Sequence, residues 1–183
     1  MWIVSRKLVF IAHPKMASRS ISKAIVALGG RQYGSHHEIV HDLLEDERRR
    51  GASVGCVIRN PYDVIVSWFF HSEVRNNKNV RPFSKWARET IVNGNGHLEY
   101  GMYKGLHLCD TVMRFENLEV DWKAWTEKCG LKPVPLKYVG VSLDRSYAHY
   151  SRFYDDKSRE FVGEHFAKEI KLGGYTFEEE PCG

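Results

Sequence analysis

No run of apolar residues in this 183-residue chain approaches the roughly 18 to 20 needed to cross a bilayer, so no membrane span is expected. Cysteine is scarce. Cys56, Cys109, Cys129 and Cys182 form no C-x-x-C pair and no framework spacing, which argues against a disulfide scaffold and for reduced thiols. No internal repeat or low-complexity segment is visible. A strong charge of one sign is also missing: the formal net charge is +4, which suits an anionic ligand without demanding nucleic acid. Met1 to Lys7 lacks the apolar core and small-residue cleavage site of a signal peptide. These absences lead to the expectation of one cytoplasmic domain over 1–183, large enough for a true core, without membrane or nucleic-acid partners.

Glycine is absent where a nucleotide-binding loop would be expected to have it. Leu8-Val9-Phe10-Ile11 reads as a buried strand, and Ile21, Ala24, Ile25 and Leu28 recur at helical spacing before Gly29-Gly30. Between them lies Ala12-His13-Pro14-Lys15-Met16-Ala17-Ser18-Arg19-Ser20. The order is not G-x-x-x-x-G-K-[ST], so this is no Walker A loop. A strand, a tight polar loop and a helix N-terminus still make an anion site. First-turn N–H groups carry partial positive charge, Lys15 adds a full one, and Ser18, Ser20 and Ser22 add hydroxyls. A phosphate or sulfate group is the natural occupant.

Downstream, Arg31-Gln32-Tyr33 reads as a short extended piece. Ser35 and Glu38 have the spacing of a capping box, predicting a helix that carries Ile39, Val40, Leu43 and Leu44 inward. Within it, His37-Glu38-Ile39-Val40-His41 matches H-E-x-x-H, the pattern in which two histidines one helical turn apart share zinc. No further G-x-x-H follows, and Glu38 already serves as the capping partner. A zinc hydrolase is therefore kept as an alternative only, and no metal is expected. Ala52 to Ile58 is a second buried strand, and it delivers Arg59-Asn60-Pro61-Tyr62-Asp63 and then Ser67. Pro61 suits a helix start, where its missing N–H costs nothing. Ser67 lies about two helical turns beyond Arg59, and arginine's planar fork suits a phosphate. Pro82 to Val92 is predicted helical, with Phe83, Trp86, Ala87 and Ile91 inward. Asp110 to Leu118 reads as a third strand and a turn. A helix with a Leu118, Trp122, Trp125 and Cys129 stripe follows, and Ser158 to Leu172 is a final helix with Phe161, Val162, His165, Phe166 and Ile170 on one side.

Four segments of the chain resemble those of one family. Pro-Lys-x-Ala-Ser-x-Ser at residues 14–20 is similar to the 5′-phosphosulfate loop of sulfotransferases that use 3′-phosphoadenosine-5′-phosphosulfate (PAPS), most like the 2-O-sulfotransferase type. Arg-Asn-Pro-Tyr-Asp-x-x-x-Ser at 59–67 resembles that family's 3′-phosphate motif, and Arg114-Phe115-Glu116-Asn117-Leu118 and Gly174-Tyr175-Thr176-Phe177 resemble further family segments. The resemblance implies a three-layer α/β, P-loop-NTPase-like fold with a central parallel β-sheet flanked by α-helices. It implies sulfuryl transfer from PAPS, with 3′-phosphoadenosine-5′-phosphate (PAP) leaving, to a hydroxyl or amine of a small-molecule or carbohydrate acceptor. Carried over residue by residue, Lys15 would stabilise the leaving oxygen. Lys15, Ala17, Ser18, Arg19, Ser20 and Ile21 would hold the 5′-phosphosulfate, although threonine is common in the family where Arg19 stands. Arg59 and Ser67 would hold the 3′-phosphate, with Arg145 and Tyr147 as further cofactor contacts. A histidine about two dozen residues before the 3′-phosphate arginine would be the base. His37 is preferred to His36, since an imidazole accepts a proton near neutral pH. His71, Tyr100, Tyr103 and Lys104 are candidates for the acceptor pocket. A non-enzymatic polyanion-binding module is the other alternative; it would lose affinity steeply with salt.

Overall fold

In the computed structural model, which describes residues 1–92, 102–137, 139 and 148–180, β1 (Trp2–Val4) turns through Ser5–Lys7 and pairs antiparallel with β2 (Leu8–Ile11). α1 (Ser18–Ala27) follows, then β3 (Arg31–Gln32), α2 (His41–Arg49) and β4 (Ser53–Ile58). The chain continues through α3 (Pro61–Phe69), a π-helix (Phe70–Val74) and α4 (Phe83–Val92). After a 3-10 turn at Leu106–Leu108 come β5 (Thr111–Arg114), α5 (Leu118–Lys128), α6 (Asp156–His165) and α7 (Ala167–Gly173). Two compact units result: Met1–Ile58 with Tyr103–Gly140, and Arg59–Met102 with Val141–Gly183.

The first unit is an α/β sheet in the order β3-β1-β2-β4-β5. β2, β4 and β5 run parallel, whereas β1 pairs antiparallel with both β2 and β3. The sheet is thus mixed, not the parallel sheet expected. The reason is local: the three-residue turn Ser5–Lys7, with Arg6 at φ 58° and the Lys7 N–H donating to the Val4 carbonyl at 3.0 Å, reverses the chain too tightly for a parallel crossover. Strand alternation splits the core. Ile3, Val9, Ile11, Val54 and Cys56 share one face and pack with Leu44 of α2. Gly55 lies on the other, where Trp125 of α5 rests directly against it: a Cβ at Gly55 would sit 2.6 Å from the indole. The indole Nε1 donates to the Ser53 hydroxyl at 3.0 Å, so the tryptophan stripe read from α5 is core. Cys56, Cys109 and Cys129 are free thiols.

The helix expected from Ser35 begins only at His41. Glu38 does reach back to the Ser35 N–H at 2.7 Å, which is half of a capping box, and the Glu38 N–H donates to the Ser35 carbonyl at 3.2 Å. The result is an isolated turn. The Glu38 carbonyl, which a helix would use, accepts from the Met1 amino group at 2.8 Å. The β-branched pair Ile39 and Val40 then packs against the core cluster from a non-helical backbone, with Val40 at φ −93°, ψ 95°.

The second unit packs aromatic rings. Phe69 of α3 meets Phe83 and Trp86 of α4 edge-on at 5.3 and 5.2 Å, and Tyr62 meets Phe177 at 4.9 Å. α3 begins at Pro61 as its sequence predicts, with the Asn60 side chain accepting from the Tyr62 N–H at 3.1 Å. α4 buries the four residues expected of it, Phe83, Trp86, Ala87 and Ile91. The final helix is two helices. Phe166 leaves helical geometry (φ −104°, ψ 23°) with its ring only 3% exposed, and His165, expected to face inward, is exposed. A reciprocal cap opens α6: the Ser158 N–H donates to Asp155 at 2.7 Å, and the Asp155 N–H donates to the Ser158 hydroxyl at 3.0 Å.

Candidate functional site

The β2–α1 loop carries the first group of candidate residues, and its backbone is unusual. Lys15 and Ala17, both non-glycine, have φ of 60° and 55°. Each such left-handed residue costs about 1–2 kcal/mol and persists where surrounding structure over-determines it. Left-handed residues of this kind turn successive N–H groups toward a common side, the arrangement of anion-binding concavities. Ala17 caps α1 without a side-chain acceptor, and the first turn holds no acidic residue, so the positive end of the helix is not neutralised from within. Lys15 is half-buried, Ser18 and Ser20 are buried, Ile21 is fully buried, and Arg19 is exposed. The Ser20 hydroxyl accepts from the Val139 N–H at 3.3 Å. Ser22 instead turns back to the Arg19 carbonyl at 3.1 Å.

The two candidate histidines differ in geometry. The His37 Nδ1 donates to the Ala12 carbonyl at 2.8 Å. A carbonyl can only accept, so the proton of the neutral ring sits on Nδ1 and the basic lone pair on Nε2. His37 is exposed and anchored to the residue that opens the Lys15 loop. His36 is packed edge-on against Trp2 at 5.5 Å and His37 at 4.6 Å, and its Nε2 is buried without a hydrogen-bond partner. Burial holds its pKa below the ordinary histidine value, helped by His37, the amino terminus and Arg19. The geometry therefore separates an oriented, accessible ring from a packed one. The zinc alternative needs both its histidines on one helix, whereas His37 lies in the turn and His41 is the first residue of α2.

Arg59 and Ser67 lie in the second unit. Arg59 is 7% exposed and forks onto Asp63 through Nε at 2.7 Å and Nη2 at 2.6 Å. Ser67 is half-buried in the last turn of α3. Asp63 is a partner that sequence reasoning missed, although its position four residues after Arg59, at the first turn of a proline-started helix, was a usable signal. His71 is exposed on the π-helix, its ring 5.7 Å from Trp68. Tyr103 is 7% exposed, and the Lys104 side chain is exposed. Tyr100, Arg145 and Tyr147 lie outside the described residues. A groove of about 590 Å³ in the second unit is lined by Tyr62, Arg159, Gly163, Ala167 and Phe177, among others, and by none of the expected site residues.

His13 is the other residue missed. It is 2% exposed. Its Nδ1 lies 3.1 Å from the Val57 carbonyl and its Nε2 lies 2.6 Å from the Lys104 carbonyl. Its place directly before Pro14-Lys15, at the carboxyl end of a central strand, was the available signal. Comparison with protein-family models and with curated proteins finds no match to this chain.

Proposed function

We propose that this chain is a PAPS-dependent sulfotransferase on a P-loop-like α/β fold, acting on a hydroxyl or amine of a small-molecule or carbohydrate acceptor in the cytoplasm. The observation that carries the reading is the β2–α1 loop: two non-glycine residues, Lys15 and Ala17, held left-handed, the second of them opening a helix N-terminus that has no side-chain cap. That backbone fits a tetrahedral anion such as the 5′-phosphosulfate. PAPS, when bound, supplies an activated sulfuryl group and PAP as its leaving group. The N–H groups and hydroxyls from Ala17 to Ile21 hold the 5′ end, and Lys15 offsets the negative charge that develops on the bridging oxygen. Arg59, with Ser67, binds the 3′-phosphate, and its Asp63 partner keeps the guanidinium oriented. His37, its Nδ1 tied to Ala12, takes the acceptor proton at Nε2. Arg145 and Tyr147 complete the family's cofactor contacts in this proposal.

The test is a thermal-shift comparison of PAP with ADP and ATP, followed by PAPS-to-PAP conversion with sugar and phenol acceptors. PAP alone should stabilise the protein. Arg59→Ala should abolish that preference, with Arg59→Lys as a folded control, and Lys15→Ala should retain PAP binding while slowing turnover by about 100-fold or more. Equal stabilisation by PAP and ADP in the unaltered protein would end the proposal.

A further inference from the structure

The β2–α1 loop raises a question of mechanics: what keeps Lys15 and Ala17 in left-handed backbone when neither is glycine? Such conformations need anchors. The His13 side chain of this loop reaches two other segments. One ring nitrogen faces the carbonyl of Val57, at the end of β4, and the other faces the carbonyl of Lys104, before the 3-10 turn at Leu106–Leu108. The residue before it, Ala12, lends its carbonyl to His37. The Ala12–His13 peptide is therefore gripped on one side by a buried imidazole and grips an exposed imidazole on the other.

We infer that His13 is a positioning residue: it fixes the Ala12–His13 peptide, and through it sets both the ring orientation and tautomer of His37 and the backbone of the Lys15 loop. The inference rests on the sulfotransferase reading only for what His37 and Lys15 then do. Chemically, a buried imidazole is the suitable post. Burial keeps the ring neutral against the pull of the two carbonyls, with the neighbouring His37 adding to the effect. One N–H is then available, and the 2.6 Å contact assigns it to Nε2 and Lys104. A glutamine can reproduce that donor; a leucine fills the volume and cannot make that bond. A histidine that was merely core filling would tolerate leucine without any change at His37.

Long-range ¹⁵N–¹H spectra of the unaltered protein should show His13 protonated at Nε2 and His37 protonated at Nδ1. In His13→Leu the His37 Nδ1–H to Nε2–H ratio should fall by at least about fivefold, the worth of one neutral hydrogen bond. In His13→Gln it should stay near the unaltered value. Finding His37 protonated at Nε2 in the unaltered protein would overturn the inference even if no variant folds. An unchanged His37 ratio in folded His13→Leu would overturn it as well. Titration with PAP provides the arm tied to function: affinity should fall about tenfold in His13→Leu and recover in His13→Gln. Absence of PAP binding by the unaltered protein would refute the cofactor reading alone, because the ¹⁵N spectra decide the role of His13 without any ligand.

Discussion

Glu73→Gln is a perturbation whose size can be worked from the structure. Glu73 sits on the π-helix beside His71 and is 2% exposed. Its carboxylate accepts from the Arg81 Nη2 at 2.6 Å, the Arg81 Nε at 2.8 Å, the Arg81 backbone N–H at 3.1 Å and the Asn77 amide at 2.8 Å. Hydrogen bonds from the Arg81 side chain, ahead of the opposing effect of burial, pull its pKa from the ordinary 4.5 down to about 2. At about 1.4 kcal/mol per pH unit that difference corresponds to roughly 3 kcal/mol. The Arg81 side chain is 40% exposed, and water screens it, so about 2 kcal/mol is the expected contribution. The sign follows from the direction of the shift. A carboxylate depressed in the folded state contributes fully above its unfolded pKa, near 4.5, and loses that contribution as pH falls toward its folded value, near 2. Urea unfolding should therefore show Glu73→Gln about 2 kcal/mol less stable at pH 7, with the gap to the unaltered protein narrowing below pH 4.5 and closing near pH 2. A gap that stays constant from pH 7 to 3, or one below about 0.5 kcal/mol throughout, would refute the reasoning.

Two further substitutions test the packing that supports the site. Gly55→Ala should cost about 1–3 kcal/mol in urea unfolding, because the added methyl meets the Trp125 ring at 2.6 to 2.9 Å and the ring is tied to Ser53; an unchanged midpoint would show that α5 can shift off the sheet at no cost. Asp155→Ala should cost about 1 kcal/mol through loss of the α6 cap, with Asp155→Asn retaining most of it. Hydrogen bonds from Ser158 hold the Asp155 carboxyl below its usual pKa, so this contribution too is present at neutral pH and fades on acidification; equal stability of the alanine variant at pH 7 would count against the cap.

Much of the architecture was open to reading from residue order. The apolar runs at 8–11 and 53–58, the proline-started helix at 61 and the inward faces of α4 and α5 follow from short-range periodicity and capping chemistry, which act over a few residues and so leave their mark in the sequence. The loop between β2 and α1 was likewise legible as a polar, basic turn between a strand and a helix, since the residue types around Lys15 state its charge and its hydroxyls. Direction and partnership were not. Whether Trp2–Val4 runs with or against Leu8–Ile11 depends on a turn of three polar residues, and the delayed start of α2 depends on the amino group of Met1 claiming the Glu38 carbonyl from 37 residues away. The break at Phe166 is decided by where its ring is buried. The choice between two adjacent histidines is of the same kind. His36 and His37 are chemically identical in the sequence, and only the fold brings the Ala12 carbonyl to one ring and Trp2 to the other. Local chemistry selects which groups are present; long-range contacts, made when distant segments meet, select which atom of each group is held and in what orientation.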